Sequence, residues 1–161
     1  MQSDARGDIM AIDARRAIDS AIDAPPDAAS LCDRTKCSGA GGTCTGDNCV
    51  FDVEAGGDLA CPSGEQCVFH CNSMDGCKND IDCSTAASCV IDCKMMNACN
   101  GGHFDCSGGG CTLLCRDDNT CANEHLTCGA QTCDLECCSA NACGSNEASG
   151  TVIEHDPGTC P

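Results

Sequence analysis

Residues 61–77, Cys-Pro-Ser-Gly-Glu-Gln-Cys-Val-Phe-His-Cys-Asn-Ser-Met-Asp-Gly-Cys, return 22 positions later as residues 83–99, Cys-Ser-Thr-Ala-Ala-Ser-Cys-Val-Ile-Asp-Cys-Lys-Met-Met-Asn-Ala-Cys. Two further copies follow, and the cysteines fall into four columns. These are Cys61, Cys83, Cys106 and Cys128; Cys67, Cys89, Cys111 and Cys133; Cys71, Cys93, Cys115 and Cys137; and Cys77, Cys99, Cys121 and Cys143. Three columns keep the interval of 22, while the first steps 22, 23 and 22. The loop before Cys106 gains one residue and the loop after it loses one. Independent beads would have no need to cancel an insertion within the same turn, whereas stacked coils do.

The residues between the columns set the local structure. Phe69, Ile91, Leu113 and Leu135 lie midway in the Cys-x-x-x-Cys segments, so in a strand of period two each shares a face with both flanking cysteines. Val68 and His70, Val90 and Asp92, Thr112 and Leu114, and Asp134 and Glu136 take the other face, which is mixed and mostly polar. A second strand is predicted before the first column, with Leu59, Ile81, Phe104 and Leu126 inward beside Cys61, Cys83, Cys106 and Cys128. Asp75, Asn97, Asn119 and Asn141 form a further column, suited to a tight turn because Asx side chains bond nearby backbone and tolerate left-handed conformations. The predicted fold is all-β, a small disulfide-rich parallel β-helix (β-solenoid) of about four 22-residue coils with irregular Cys-containing caps. A leucine-rich repeat would need a Leu-x-x-Leu-x-Leu frame, and none is present.

Four regions follow from changes of composition. Residues 1–31 read as a disordered, acidic, low-complexity tether in which Ala-Ile-Asp recurs at 11–13, 17–19 and 21–23. Residues 32–56 form an N-terminal cap with Cys32, Cys37, Cys44 and Cys49, in which Cys49-Val50-Phe51-Asp52-Val53 resembles a coil strand with Val replacing the second cysteine. Residues 57–143 hold the four coils, and residues 144–161 a C-terminal cap in which Cys160 is the natural partner of Cys138.

Twenty-two cysteines among 161 residues, three Phe and no Trp or Tyr rule out a conventional aromatic and aliphatic core. The even count points to bridges and an oxidising compartment. Stacked cysteines of one column would have Cα atoms about 4.8 Å apart, inside the range for a bridge. Bridges between coils, or across a coil from column to column, both remain open. A thiolate metal store is the lesser alternative, because Cys-x-Cys and Cys-x-x-Cys are absent.

Charge sets the range of partners. Eight basic residues against 25 acidic ones leave a net charge of −17, so nucleic acid is not an expected partner. No stretch is long and apolar enough for a membrane span. None reads as an export signal either, so the expectation is that one has been removed or is not part of this sequence. Asp80, Asp82, His103, Asp105 and His125 are expected to gather on the outward face of one sheet, beside Asp58, Ala60 and Thr127. Carboxylates and imidazoles so placed could hold a divalent cation, or act as acid and base on a sugar chain. A solvated acidic face with incidental histidines explains the same residues. No Gly-x-Ser-x-Gly, His-Glu-x-x-His, Walker or Gly-x-Gly-x-x-Gly motif occurs, and loops of mostly four to seven residues would not wall a substrate groove.

The pattern Asn97-Ala98-Cys99, Phe104-Asp105-Cys106 and Cys111-Thr112-Leu113-Leu114-Cys115 resembles cysteine-rich repeat proteins of the secreted or surface-lipoprotein type in myxobacteria and related predatory bacteria. The Ala-Pro-Pro-Asp-Ala segment at 24–28 is similar to linkers that follow lipid-anchored N-termini there. The resemblance implies an extracellular or cell-surface location and no particular activity. The expectation is therefore a non-catalytic structural or adhesive module without a resident cofactor. Its partner would be a surface glycan or protein, and it would be a monomer or associate weakly through its solenoid ends.

Overall fold

The computed structural model of the chain describes residues 31–144 and 147–155. It is a β-solenoid of about 5 turns with almost no helix. The elements are α1 (Arg34–Gly39), β1 (Thr43–Thr45), β2 (Asn48–Val53), β3 (Leu59–Ala60), β4 (Gln66–Cys71), β5 (Asp80–Asp82), β6 (Ser88–Cys93), β7 (His103–Cys106), β8 (Gly110–Cys115), β9 (His125–Cys128), β10 (Cys133–Cys137), β11 (Glu147–Ser149) and β12 (Val152–His155). The tether predicted over 1–31 lies, except for Leu31, outside the described residues, as does Cys160.

The larger sheet runs β1-β2-β4-β6-β8-β10-β12, and the smaller runs β11-β9-β7-β5-β3. All neighbours are parallel except the β1–β2 hairpin. The register is the one the repeat demands: Phe51 opposes Phe69, Phe69 opposes Ile91, Ile91 opposes Leu113 and Leu113 opposes Leu135. These five side chains are buried and form the core column, with the Phe51 and Phe69 rings stacked 4.6 Å apart. The smaller sheet supplies the facing column, Leu59, Ile81, Phe104 and Leu126, of which Leu59 is only half-buried.

An Asx-column turn recurs in every coil, and one corner loop closes over glycine. Ser73, Met95, Asp117 and Ser139 accept hydrogen bonds from the amides three residues on, placing the predicted Asx column at the third turn position. Asp75, Asn97 and Asn119 there have φ of 64°, 60° and 54°, the left-handed value a type II turn requires. Asn141 is not among the left-handed residues, but Asn123, which the column did not include, is, at 57°. In the shortened loop after Cys106 the chain lies hard against the coil below. A Cβ on Gly108 would sit 1.7 Å from the Ser84 carbonyl oxygen, so that loop can close only over glycine.

Ten disulfides join described residues, and no described cysteine is free. In the coils every bridge lies within one turn, with Cα–Cα distances of 5.5–6.4 Å. One kind spans the corner from the smaller sheet to the larger: Cys61–Cys67, Cys83–Cys89, Cys106–Cys111 and Cys128–Cys133. The other spans the Asx turn: Cys71–Cys77, Cys93–Cys99, Cys115–Cys121 and Cys137–Cys143. The physical reason is direction. Stacked residues of one column project parallel, leaving Cβ atoms a full rung apart at about 4.8 Å, beyond the 3.5–4.5 Å a bridge needs. Across a corner the Cα–Cβ vectors converge.

The two ends depart from the expected caps in opposite ways. The N-terminal cap carries α1, which the repeat pattern did not suggest, with Asp33 accepting from the amides of Thr35 and Lys36 at 2.9 and 3.2 Å. It is closed by Cys32–Cys44 and Cys37–Cys49. At the other end β11 and β12 continue both sheets as a further turn without a described cysteine. That is why the turns number about five where four coils were expected.

Candidate functional site

The outward positions of the smaller sheet form two rows. Asp80, His103, His125 and Glu147 oppose one another in sequence across four strands. Ala60, Asp82, Asp105, Thr127 and Ser149 form the second row. Strand alternation makes this unavoidable once Ile81, Phe104 and Leu126 turn inward. All five predicted residues, Asp80, Asp82, His103, Asp105 and His125, line one shallow open groove together with Thr127. Asp58 lies just before β3.

Within the first row two imidazoles stand between two carboxylates. His103 Nδ1 stands 3.8 Å from Asp80 Oδ1, and His125 Nδ1 stands 3.1 Å from Glu147 Oε2. The two imidazole rings meet at 4.6 Å between centroids. Glu147 was missed by sequence reasoning, although its position 22 residues after His125 could have revealed it.

The second row is partly committed to the fold. Asp82 Oδ1 accepts from the Ser84 amide at 2.8 Å, and Asp105 Oδ1 from the Ser107 amide at 2.9 Å, so each aspartate closes the turn that follows its strand. Hydrogen bonds from the Ser84 side chain and amide hold the Asp82 carboxyl below its usual value. One oxygen of each carboxylate thus serves a turn.

As placed, no three donor atoms of the five predicted ligands lie within 4.8 Å of one another. The triads that do are sulfurs from the disulfide ladder and the N-terminal cap: Cys32, Cys37 and Cys49; Cys71, Cys93 and Cys99; and Cys83, Cys89 and Cys111. The second and third each join two coils, a convergence that spacing along one coil cannot show. All these sulfurs are bridged and so offer no thiolate.

Charged residues elsewhere serve the framework. Glu65 is buried, accepts from the Asp33 amide at 3.0 Å and lies 3.8 Å from Lys36 Nζ, which ties the N-terminal cap to the first coil. Asp92 is buried on the larger sheet between Arg116 at 2.6 Å and Lys94 at 3.5 Å. Glu124 is different: its side chain is fully buried and neither carboxyl oxygen has a partner. Burial, and to a lesser extent the neighbouring Glu154 charge, pushes its carboxyl up to about 8.

Among the described residues no helix is long and apolar enough to cross a membrane. Comparison of the chain with protein-family models, with curated proteins and with solved structures finds no match.

Proposed function

We propose that the chain is a disulfide-locked structural or adhesive module of an extracytoplasmic surface, without catalytic activity, of the kind it resembles among myxobacterial secreted and surface proteins. The observation that supports this is the complete pairing of the described cysteines, two bridges to a coil, a state the reducing cytosol does not sustain. Its partner is a surface glycan or protein, met by side chains rather than by a bound cofactor. The test is to lyse the producing cells in an alkylating agent and fractionate them. Recovery in the surface or secreted fraction with no alkylated cysteine is expected. Recovery in the cytosol with most cysteines alkylated would overturn the reading.

A second reading is favoured by one observation, the gathering of Asp80, Asp82, His103, Asp105 and His125 on a single groove. In it the face binds a divalent cation or a glycan through Asp80, Asp82, His103, Asp105, His125 and Glu147. Calorimetric titration with Ca²⁺ and Zn²⁺, followed by a glycan array, decides. Saturable binding lost in both Asp82→Ala and His103→Ala supports this reading, and titrations without heat or array signal remove it.

A further inference from the structure

The described residues contain three methionines, Met74, Met95 and Met96, and all three are exposed, at 63%, 50% and 48%. They occupy one corner of the solenoid on two adjacent coils. The loops that carry them, 71–77 and 93–99, are built alike. Each is closed by its own disulfide, Cys71–Cys77 or Cys93–Cys99. Each contains a turn closed by one amide, from Gly76 to the Ser73 carbonyl at 3.0 Å or from Ala98 to the Met95 carbonyl at 2.9 Å. Each has a left-handed third residue, Asp75 or Asn97. The loops are stitched together by the Lys94 amide to the Cys71 carbonyl and by the Cys77 amide to the Ala98 carbonyl, at 3.2 and 2.9 Å.

Met74 and Met96 therefore stand at the second position of equivalent turns, one rung apart, about 4.8 Å along the stack. That position is the tip of the turn and makes no demand for an apolar residue: the same column continues as Asp118 and Ala140. Met95 opens the second turn beside them. Packing does not explain three long apolar side chains here, since the core column lies on the inside of the coil.

Their chemistry offers a reason. A thioether is a soft, neutral donor that favours soft monovalent d¹⁰ cations over Ca²⁺, Mg²⁺ or Zn²⁺. With every described cysteine bridged, the thioethers are the softest exposed donors among the described residues, softer than the imidazoles of His103 and His125. The net charge of −17 draws cations toward the surface without supplying a soft ligand of its own. We propose that Met74, Met95 and Met96 form a binding site for one soft monovalent cation, Cu(I) or its redox-inert analogue Ag(I), held across two coils by two or three thioether sulfurs. The loop disulfides fix the two turn tips, so binding has little backbone to order. No electron is transferred: bound water leaves the ion as thioether sulfur takes its place.

The probe is Ag⁺ in chloride-free buffer, titrated into the intact, disulfide-bonded protein and followed by calorimetry and by the methionine methyl resonances. One equivalent should bind, with the Met74, Met95 and Met96 methyl signals shifting together. Met74→Leu and Met96→Leu keep the apolar surface and remove the sulfur, so each should weaken binding at least about tenfold, and the triple leucine variant should abolish it. Unchanged binding in the triple variant, or none in the native chain, would overturn the proposal. Its failure leaves the surface-module reading intact, because that reading is tested by location and thiol state.

Discussion

The two ends of the solenoid face the same problem, an open rung of parallel strands, and meet it with different chemistry. At the N-terminal end the chain folds back as the antiparallel strand β1, covers the first rung with α1, adds Cys32–Cys44 and Cys37–Cys49, and pins the whole to the first coil through Glu65. At the C-terminal end β11 and β12 simply continue the two sheets. There the core column that runs through Phe51, Phe69, Ile91, Leu113 and Leu135 ends on Glu154, while Glu124 lies buried without a partner nearby. One end is closed by covalent bonds and packing, the other by placing a carboxylate where an apolar residue would invite another strand. The repeat supplies identical rungs, and the ends are where individual residues decide stability.

The largest change that breaks this contrast is removal of all the bridges. Dithiothreitol with alkylation should unfold the domain cooperatively, read as loss of the β-type far-UV circular dichroism, because short apolar columns alone cannot offset the entropy of ordering each coil. Persistence of that signal after complete alkylation would show that the stack holds without its bridges. Next is Glu124 at the C-terminal end. Its folded value near 8 lies above the unfolded value of 4.5, so the folded state keeps a proton that the unfolded state has lost. Stability contributed by this group is fully present below about pH 4.5 and is lost as pH rises through about 8, on the order of 5 kcal/mol. Chemical denaturation across that window should show the decline in the native chain, and Glu124→Gln should flatten it.

At the N-terminal end the effects are smaller and insensitive to that window. Replacing Cys37 and Cys49 together by Ala opens a 12-residue loop and should cost about 3 kcal/mol in urea denaturation. Glu65→Ala leaves the Asp33 amide without its acceptor and should cost about 1–3 kcal/mol. If it changes the midpoint by less than the replicate error, the cap is held by its disulfides alone.

Sequence reasoning saw the middle of this molecule well and its ends poorly, for physical reasons. The coil strands were legible because cysteine and apolar residues alternate with period two inside a period of 22, and a slip of one residue would turn every cysteine outward. The Asx turns were legible for Asp75, Asn97 and Asn119 because few other residues adopt a left-handed backbone at low cost. The bridge pattern was not, since both pairings satisfy the Cα spacing and only the direction of the Cβ atoms separates them. Because β11 and β12 carry none of the cysteines that made the others visible, only Thr151-Val152-Ile153 of the last turn reads as a strand, which β12 bears out. On the candidate face the row Asp80, His103 and His125 followed from alternation, while Glu147 lay outside the marked repeat. Glu124 reads in sequence as one more surface acid between Asn123 and His125. Its burial follows only from the inward turn of Leu126 two positions on.

The local span of the ladder bridges has a mechanical consequence. Each ties a coil to itself and none ties a described coil to the next, so a load applied along the stack is carried between coils by hydrogen bonds and packing. Between Cys61 and Cys83 the bridges Cys61–Cys67 and Cys71–Cys77, each with a sequence separation of 6, take the chain between their cysteines out of the tensile path. The remaining segments, 67–71 and 77–83, together with the two bridges, reach about 45 Å when drawn straight, against about 4.8 Å for a stacked rung. Pulled from its ends in a force spectrometer, the domain should lengthen in near-equal steps of about 40 Å, one coil at a time, with every covalent bond intact. Such a chain is short at rest, yields progressively under strain, and has a hard limit to its reach.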